Sequence, residues 1–133
     1  MKSPALIEVV DDDEDVRRMM VMVLESHGFK VRTHNGGPAY LKSERAENPR
    51  VMLLDIRMPE MSGIELQARL KETGDDIPVI FMSGESLPHE TLAAQRSDAI
   101  TFLSKPFHTH QLLDAIAQGL KVQAQSIGSA SHP

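Results

Sequence analysis

The sequence predicts an α/β fold: a doubly wound, five-stranded parallel sheet with helices on both of its faces. Two observations carry that expectation. Short apolar runs alternate with longer amphipathic stretches about five times along the 133 residues. Most of these runs are nearly continuous in apolar character, which suits strands covered on both faces rather than half-exposed antiparallel ones. Strands alternating with helices in this way imply βαβ units joined by right-handed crossovers.

Taken in order, the strands fall on Leu6–Val10, Val31–Thr33, Val51–Leu54, Pro78–Met82 and Ile100–Leu103. Glu8 interrupts the first, and a carboxylate there must find partners or lie near the sheet's end. The first helix spans about Glu14 to His27, with Val16, Met19, Met20, Val23 and Leu24 on one stripe and Gly28 placed to end it. A shorter helix covers Ala39 to about Ala46, after the Gly36-Gly37-Pro38 turn. Ile64, Leu66, Ala68 and Leu70 mark a third, closed by Gly74. Pro88 to Arg96 forms a fourth with a poor apolar stripe, and Leu112, Leu113, Ile116 and Leu120 mark a fifth. After about Gln123 the residues turn small and polar. The expected division is one domain over residues 1–122, then a disordered tail or the start of a linker over 123–133.

Composition narrows the function. A formal net charge of −5 with no long basic run argues against a grip on nucleic acid by this segment, because phosphate binding is largely Lys/Arg neutralisation. The chain has no cysteine, so disulfides and thiolate metal sites are excluded. The apolar stretch after Pro4 runs straight into Asp11, Asp12 and Asp13, unlike a signal peptide, and nothing approaches the length of a membrane span. A cytoplasmic location without membrane contact is the expectation.

In an open parallel sheet, ligands gather beyond the carboxyl ends of the strands. The first run is followed by Asp11, Asp12 and Asp13, and the third ends in Asp55. Ser83 and Gly84 follow the fourth, and Ser104, Lys105 and Pro106 the fifth. Acids, a hydroxyl and a lysine therefore converge on one rim. Asp11, Asp12 and Asp55 held close together repel one another, and a hard divalent cation such as Mg²⁺ relieves this. One carboxylate can then attack a phosphoryl donor, with Lys105 and Ser83 placed to meet the phosphoryl oxygens.

These residues also match a family pattern. The run Val9-Val10-Asp11-Asp12-Asp13-Glu14-Asp15-Val16-Arg17 resembles the acidic-pair segment of response-regulator receiver domains. Leu53 to Gly63, reading Leu-Leu-Asp-Ile-Arg-Met-Pro-Glu-Met-Ser-Gly, resembles their acceptor strand and following loop. Phe81-Met82-Ser83-Gly84 and Phe102-Leu103-Ser104-Lys105-Pro106-Phe107 resemble the other two signatures, and the four stand in register over about residues 5 to 121. The resemblance implies a (βα)5, CheY-like (flavodoxin-like) fold and Asp55 as phosphoacceptor. It implies Mg²⁺ held by Asp12 directly, by Asp11 largely through water, by Asp55 and by the Arg57 carbonyl. Ser83 and Phe102 become a coupled switch pair, Lys105 a contact to the phosphoryl oxygens, and Lys105–Pro106 a cis bond. The implied donor is a histidine kinase or histidine phosphotransfer protein. The implied output is a changed surface, with homodimerisation possible through the fourth helix, fifth strand and fifth helix. The loop after Asp55 most resembles receivers joined to LuxR-type helix-turn-helix domains, which points to control of transcription through an output domain.

Plainer readings compete residue by residue. Asp13, Glu14 and Asp15 are read as cap and helix-dipole chemistry. His108 and His110, two apart, are expected on different faces of a helix and in solvent. The methionines are expected mostly as core filler. Asp98-Ala99 replaces the Gly-Ala common in the family before the fifth strand, and Arg57 and Glu85 are expected to pair across the site and slow hydrolysis. A haloacid-dehalogenase-type phosphatase would need a second acid two residues past its nucleophile, where Arg57 stands. A flavodoxin-like flavin binder would need a Ser/Thr/Gly-rich phosphate loop where Asp11, Asp12 and Asp13 stand.

Overall fold

The computed structural model describes residues 4–47, 49–84 and 88–130. Strands β1 (Leu6–Val10), β2 (Lys30–His34), β3 (Arg50–Asp55), β4 (Val79–Ser83) and β5 (Thr101–Ser104) alternate with helices. The helices are α1 (Glu14–Ser26), α2 (Gly37–Lys42), α3 (Gly63–Glu72), α4 (Pro88–Arg96) and α5 (Thr109–Ala130). All strand pairs are parallel, in the order β2-β1-β3-β4-β5. The chain thus winds outward from β1 in one direction and from β3 in the other, leaving a crevice at the carboxyl ends where the order reverses.

Apolar alternation along the central strands feeds two cores. Ile7, Val9, Val51 and Leu53 pack with Met20 and Leu24 of α1 and Leu112 and Ile116 of α5. Val10, Met52 and Leu54 pack on the opposite face with Tyr40 of α2, Leu66 and Leu70 of α3 and Ala94 of α4. Asp13 caps α1 by accepting from the amides of Asp15 and Val16, as its reading as a cap requires. Ser62 and Glu65 form a capping box on α3. Gly28 and Gly74 adopt φ of 87° and 79°, a left-handed conformation that ends α1 and α3.

Several expectations need correction. Met19 is half-exposed and Met22 more so, because the stripe of α1 that meets the sheet is narrower than its run of apolar residues. Buried Gln67 takes the place expected for Ala68, which faces solvent. Helix α2 starts two residues early, since Pro38 is well suited to a first turn, and stops at Lys42, where Ser43 turns extended. His108 precedes α5 rather than lying within it, so its ring stacks on His110 at 5.5 Å, although both remain exposed. Helix α5 continues to Ala130 through the stretch expected as a disordered tail or linker. Gln123 there accepts from the Arg50 amide, tying the helix to the start of β3. No helix among the described residues is long and apolar enough to cross a membrane.

Glu8 does find partners. It lies fully buried on β1, and Arg32 on β2 donates to both of its oxygens, at 2.9 and 2.6 Å. His34 Nε2 lies 2.9 Å away. Burial alone would push the Glu8 carboxyl up, but the bonds to His34 and Arg32 prevail and hold it below its ordinary range. Alongside, Arg50 joins the Tyr40 hydroxyl at 2.9 Å to Asp75 at 2.9 Å, and Asp75 also pairs with Arg45. This network welds β1, β2, α2 and the loop before β4 with few unpaired charges.

Candidate functional site

The crevice at the carboxyl ends of β1 and β3 gathers the predicted acids. Asp11 follows β1 directly and is fully buried, Asp12 beside it is exposed, and Asp55 ends β3 at 6% exposure. One carboxylate oxygen from each lies within 4.8 Å of the others. Lys105, just past β5, sets its ammonium 3.0 Å from Asp11 and 3.9 Å from Asp55. The Lys105–Pro106 bond is cis, as the family resemblance leads one to expect. The Lys105 amide also bonds the Ser83 carbonyl at 2.8 Å, so the end of β4 helps hold the lysine's turn.

Burial pushes the Asp55 carboxyl up to about 7, and the Asp11 carboxylate pushes in the same direction against the pull of Lys105. One ammonium facing three carboxylates leaves the cluster short of positive charge. Three carboxylate oxygens within reach of a single point form a hard, all-oxygen donor set that suits a Mg²⁺-sized cation.

The local backbone is built to present Asp55. Ile56 donates to Met82 on β4 at 3.1 Å and accepts from the Gly63 amide at 2.8 Å, folding the loop back on the strand end. A Cβ on Gly63 would stand 2.2 Å from the Asp55 carbonyl oxygen, so only glycine lets α3 start this close. Glu60 carries the turn at φ 69°, a conformation a non-glycine side chain rarely adopts.

Other predicted residues divide. Ser83 is buried at the end of β4, and the register sets it one residue beyond the level of Asp55 on the neighbouring strand. Phe102 lies opposite Phe81 on β5, partly buried against the α2–α4 core. Arg57 is exposed two residues past Asp55, while Glu85, its expected partner, lies outside the described residues. Asp98 pairs with Lys71 of α3 and needs no left-handed backbone, so the missing glycine costs the turn nothing. One contact escaped the sequence: Arg17 of α1 donates to the Asp11 carbonyl at 2.7 Å. Its only signal was a basic residue one turn into the helix after the acids.

Comparison with known proteins places the chain in a family. The family model described as the response regulator receiver domain matches residues 7–117. The response regulator protein TodT of Pseudomonas putida is 34% identical over 95% of this chain and 56% of its own length. The transcriptional regulatory protein FixJ of Rhizobium meliloti is 33% identical over 83% of this chain and 54% of its own. Among solved structures, the response regulator StyR superposes with a TM-score of 0.84 at 38% identity, over 96% of this chain and 65% of its own. The FixJ-N crystal structure superposes at 0.81 with 30% identity, over 91% of this chain and 96% of its own. The chain spans about half the length of the curated relatives it matches.

Proposed function

The chain belongs to the response regulator receiver domain family of two-component systems, and on that premise we propose that Asp55 accepts a phosphoryl group with Mg²⁺ bound at the acidic crevice. The observation that carries the reading is the convergence of Asp11, Asp12 and Asp55 within 4.8 Å, with Lys105 at their edge. Asp12, Asp55 and the Arg57 carbonyl would hold the ion directly, and Asp11 through water. Bound there, Mg²⁺ neutralises the carboxylates and the charge spread over the phosphoryl oxygens.

The donor is a phosphohistidine of a histidine kinase or phosphotransfer protein. An Asp55 oxygen attacks phosphorus in line with the P–N bond, which breaks as the new P–O bond forms. The bonding pair leaves with the imidazole nitrogen, which takes up a proton from solvent. Lys105 bonds a phosphoryl oxygen, and the Ser83 hydroxyl reaches another. Phe102 turns further inward as Ser83 moves, carrying the change to the face of α4, β5 and α5, where a homodimer can form. The protein is then a substrate and switch that catalyses its own phosphorylation and slow dephosphorylation, rather than a turnover enzyme. We place it in the cytoplasm, where a kinase would reach it. The name of FixJ as a transcriptional regulator extends the reading to transcription controlled through an output region.

Intact mass after incubation with acetyl phosphate tests the chemistry, with and without Mg²⁺, on wild type and Asp55→Ala. One phosphoryl group gained with Mg²⁺ and lost in the variant supports the reading. A gain that persists in Asp55→Ala, or that ignores Mg²⁺, overturns it.

A further inference from the structure

We propose that Arg17 is a positioning residue that fixes the peptide joining Asp11 to Asp12 and thereby sets the cation affinity of the crevice. The inference rests on the acidic site's reading as a Mg²⁺ site and concerns a residue outside its ligand set.

The backbone around the acids is clamped unevenly. The Asp11 amide donates to the His34 carbonyl at 3.1 Å, which ties residue 11 to β2. The Asp13 amide donates to Asp11 Oδ1 at 2.9 Å, which holds the Asp11 side chain. Between these two bonds lies the Asp11–Asp12 peptide, and its orientation decides where the exposed Asp12 carboxylate points. Among the described residues its single hydrogen bond is the one from Arg17 to the Asp11 carbonyl, at 2.7 Å. Arg17 stands in the first turns of α1, with its amide bonded to the Asp13 carbonyl, and its half-buried side chain folds back over the loop. A rigid helix therefore holds the one peptide that β1 leaves loose. A guanidinium suits this role because its charge strengthens the bond and its planar fork loses little freedom.

Charge and position make opposite demands, and this separates them. A cation beside three carboxylates disfavours a second cation, so deleting Arg17 for its charge alone would tighten Mg²⁺ binding. Deleting it as a clamp would loosen binding, because Asp12 loses its fixed direction. Groups that orient metal ligands typically change affinity roughly 10- to 100-fold. Arg18 supplies the control: it carries the same charge one residue on, and among the described residues it pairs with Glu14 in solvent and makes no hydrogen bond to the loop.

The test is calorimetric Mg²⁺ titration of unphosphorylated wild type, Arg17→Ala, Arg17→Lys and Arg18→Ala, with amide hydrogen exchange followed at Asp13. Expected are a dissociation constant raised about tenfold or more in Arg17→Ala, partial recovery in Arg17→Lys, and no weakening in Arg18→Ala. The Asp13 amide, bonded to Asp11 Oδ1, should exchange faster in Arg17→Ala as the segment loosens. Should Arg17→Ala fail to fold, Arg17→Lys decides, with weaker binding than wild type expected. Unchanged or tighter binding in the Arg17 variants overturns the proposal while leaving the site's reading intact. A wild type that binds no Mg²⁺ overturns both together.

Discussion

Arg32 grips the buried carboxylate of Glu8 with two hydrogen bonds, so an edge strand supplies the countercharge for an acid on the strand next to it. The two ends of that bridge are not equivalent. Glu8 has no access to solvent, whereas Arg32 is one-third exposed and can turn outward. Arg32→Ala should therefore destabilise by about 3 kcal/mol, since it strips a buried charge of its main partner. Glu8→Leu should cost about 1 kcal/mol or less, because an apolar residue fits the core and the freed arginine can hydrate. Urea unfolding at pH 7 measures both, and equal losses would refute the asymmetry. The folded-state pKa of Glu8 lies below its unfolded value, so its contribution is present above the usual glutamate range and is lost as pH falls through the lowered value. The gap between wild type and Arg32→Ala should accordingly shrink in acid.

Tyr40 is the only tyrosine and the chain has no tryptophan, so absorbance at 295 nm reports its ionisation alone. Burial pushes its hydroxyl up to about 12. Its folded-state value is raised, so the stability it contributes is complete below the unfolded value of about 10 and is lost as pH rises towards 12. The shift corresponds to roughly 2–3 kcal/mol. A folded-state titration midpoint near 10 would contradict the burial of the Tyr40 hydroxyl.

Gly63→Ala places a methyl group against the Asp55 carbonyl, which is backbone and cannot swing aside. The substitution should cost about 2–3 kcal/mol in thermal unfolding and should slow phosphoryl uptake by displacing the acceptor. A variant with wild-type stability and uptake would mean that α3 retreats freely.

Lys105 faces the same carboxylates that a cation would, and in the proposed mechanism it bonds the transferred group. Lys105→Met should tighten Mg²⁺ binding by calorimetry while slowing phosphoryl uptake by about 100-fold, the typical loss of one transition-state donor. Both effects falling in the same direction would argue against this division. Mg²⁺ at 100 times its dissociation constant should add about 2.7 kcal/mol to stability, reversed by a chelator.

Much of this was legible in the residues. The bounds of β1 and α4 follow directly from apolar pattern and proline, and the acids, Ser83 and Lys105 stand where strands end. The partners of Glu8 were not legible, because Arg32 and Arg50 lie 24 and 42 positions away and only the strand order brings them together. The exposure of Met19 and the burial of Gln67 depend on how far each helix is rotated over the sheet, which periodicity constrains only loosely. Arg17 reads as one more surface base until the fold back of its side chain is seen.

The sheet's two outer margins have a further consequence for a crowded solution. An open edge offers unpaired amides and carbonyls to any passing extended chain, the first step towards aggregation. The β5 edge is only four residues long, too short to template much. The β2 edge spans five, and it carries Lys30 and Arg32, whose charges repel a second copy laid alongside. Arg32 thus guards the outside of the sheet while satisfying its inside. An Arg32→Val chain, better suited to a strand by propensity, should scatter more light on concentration than wild type.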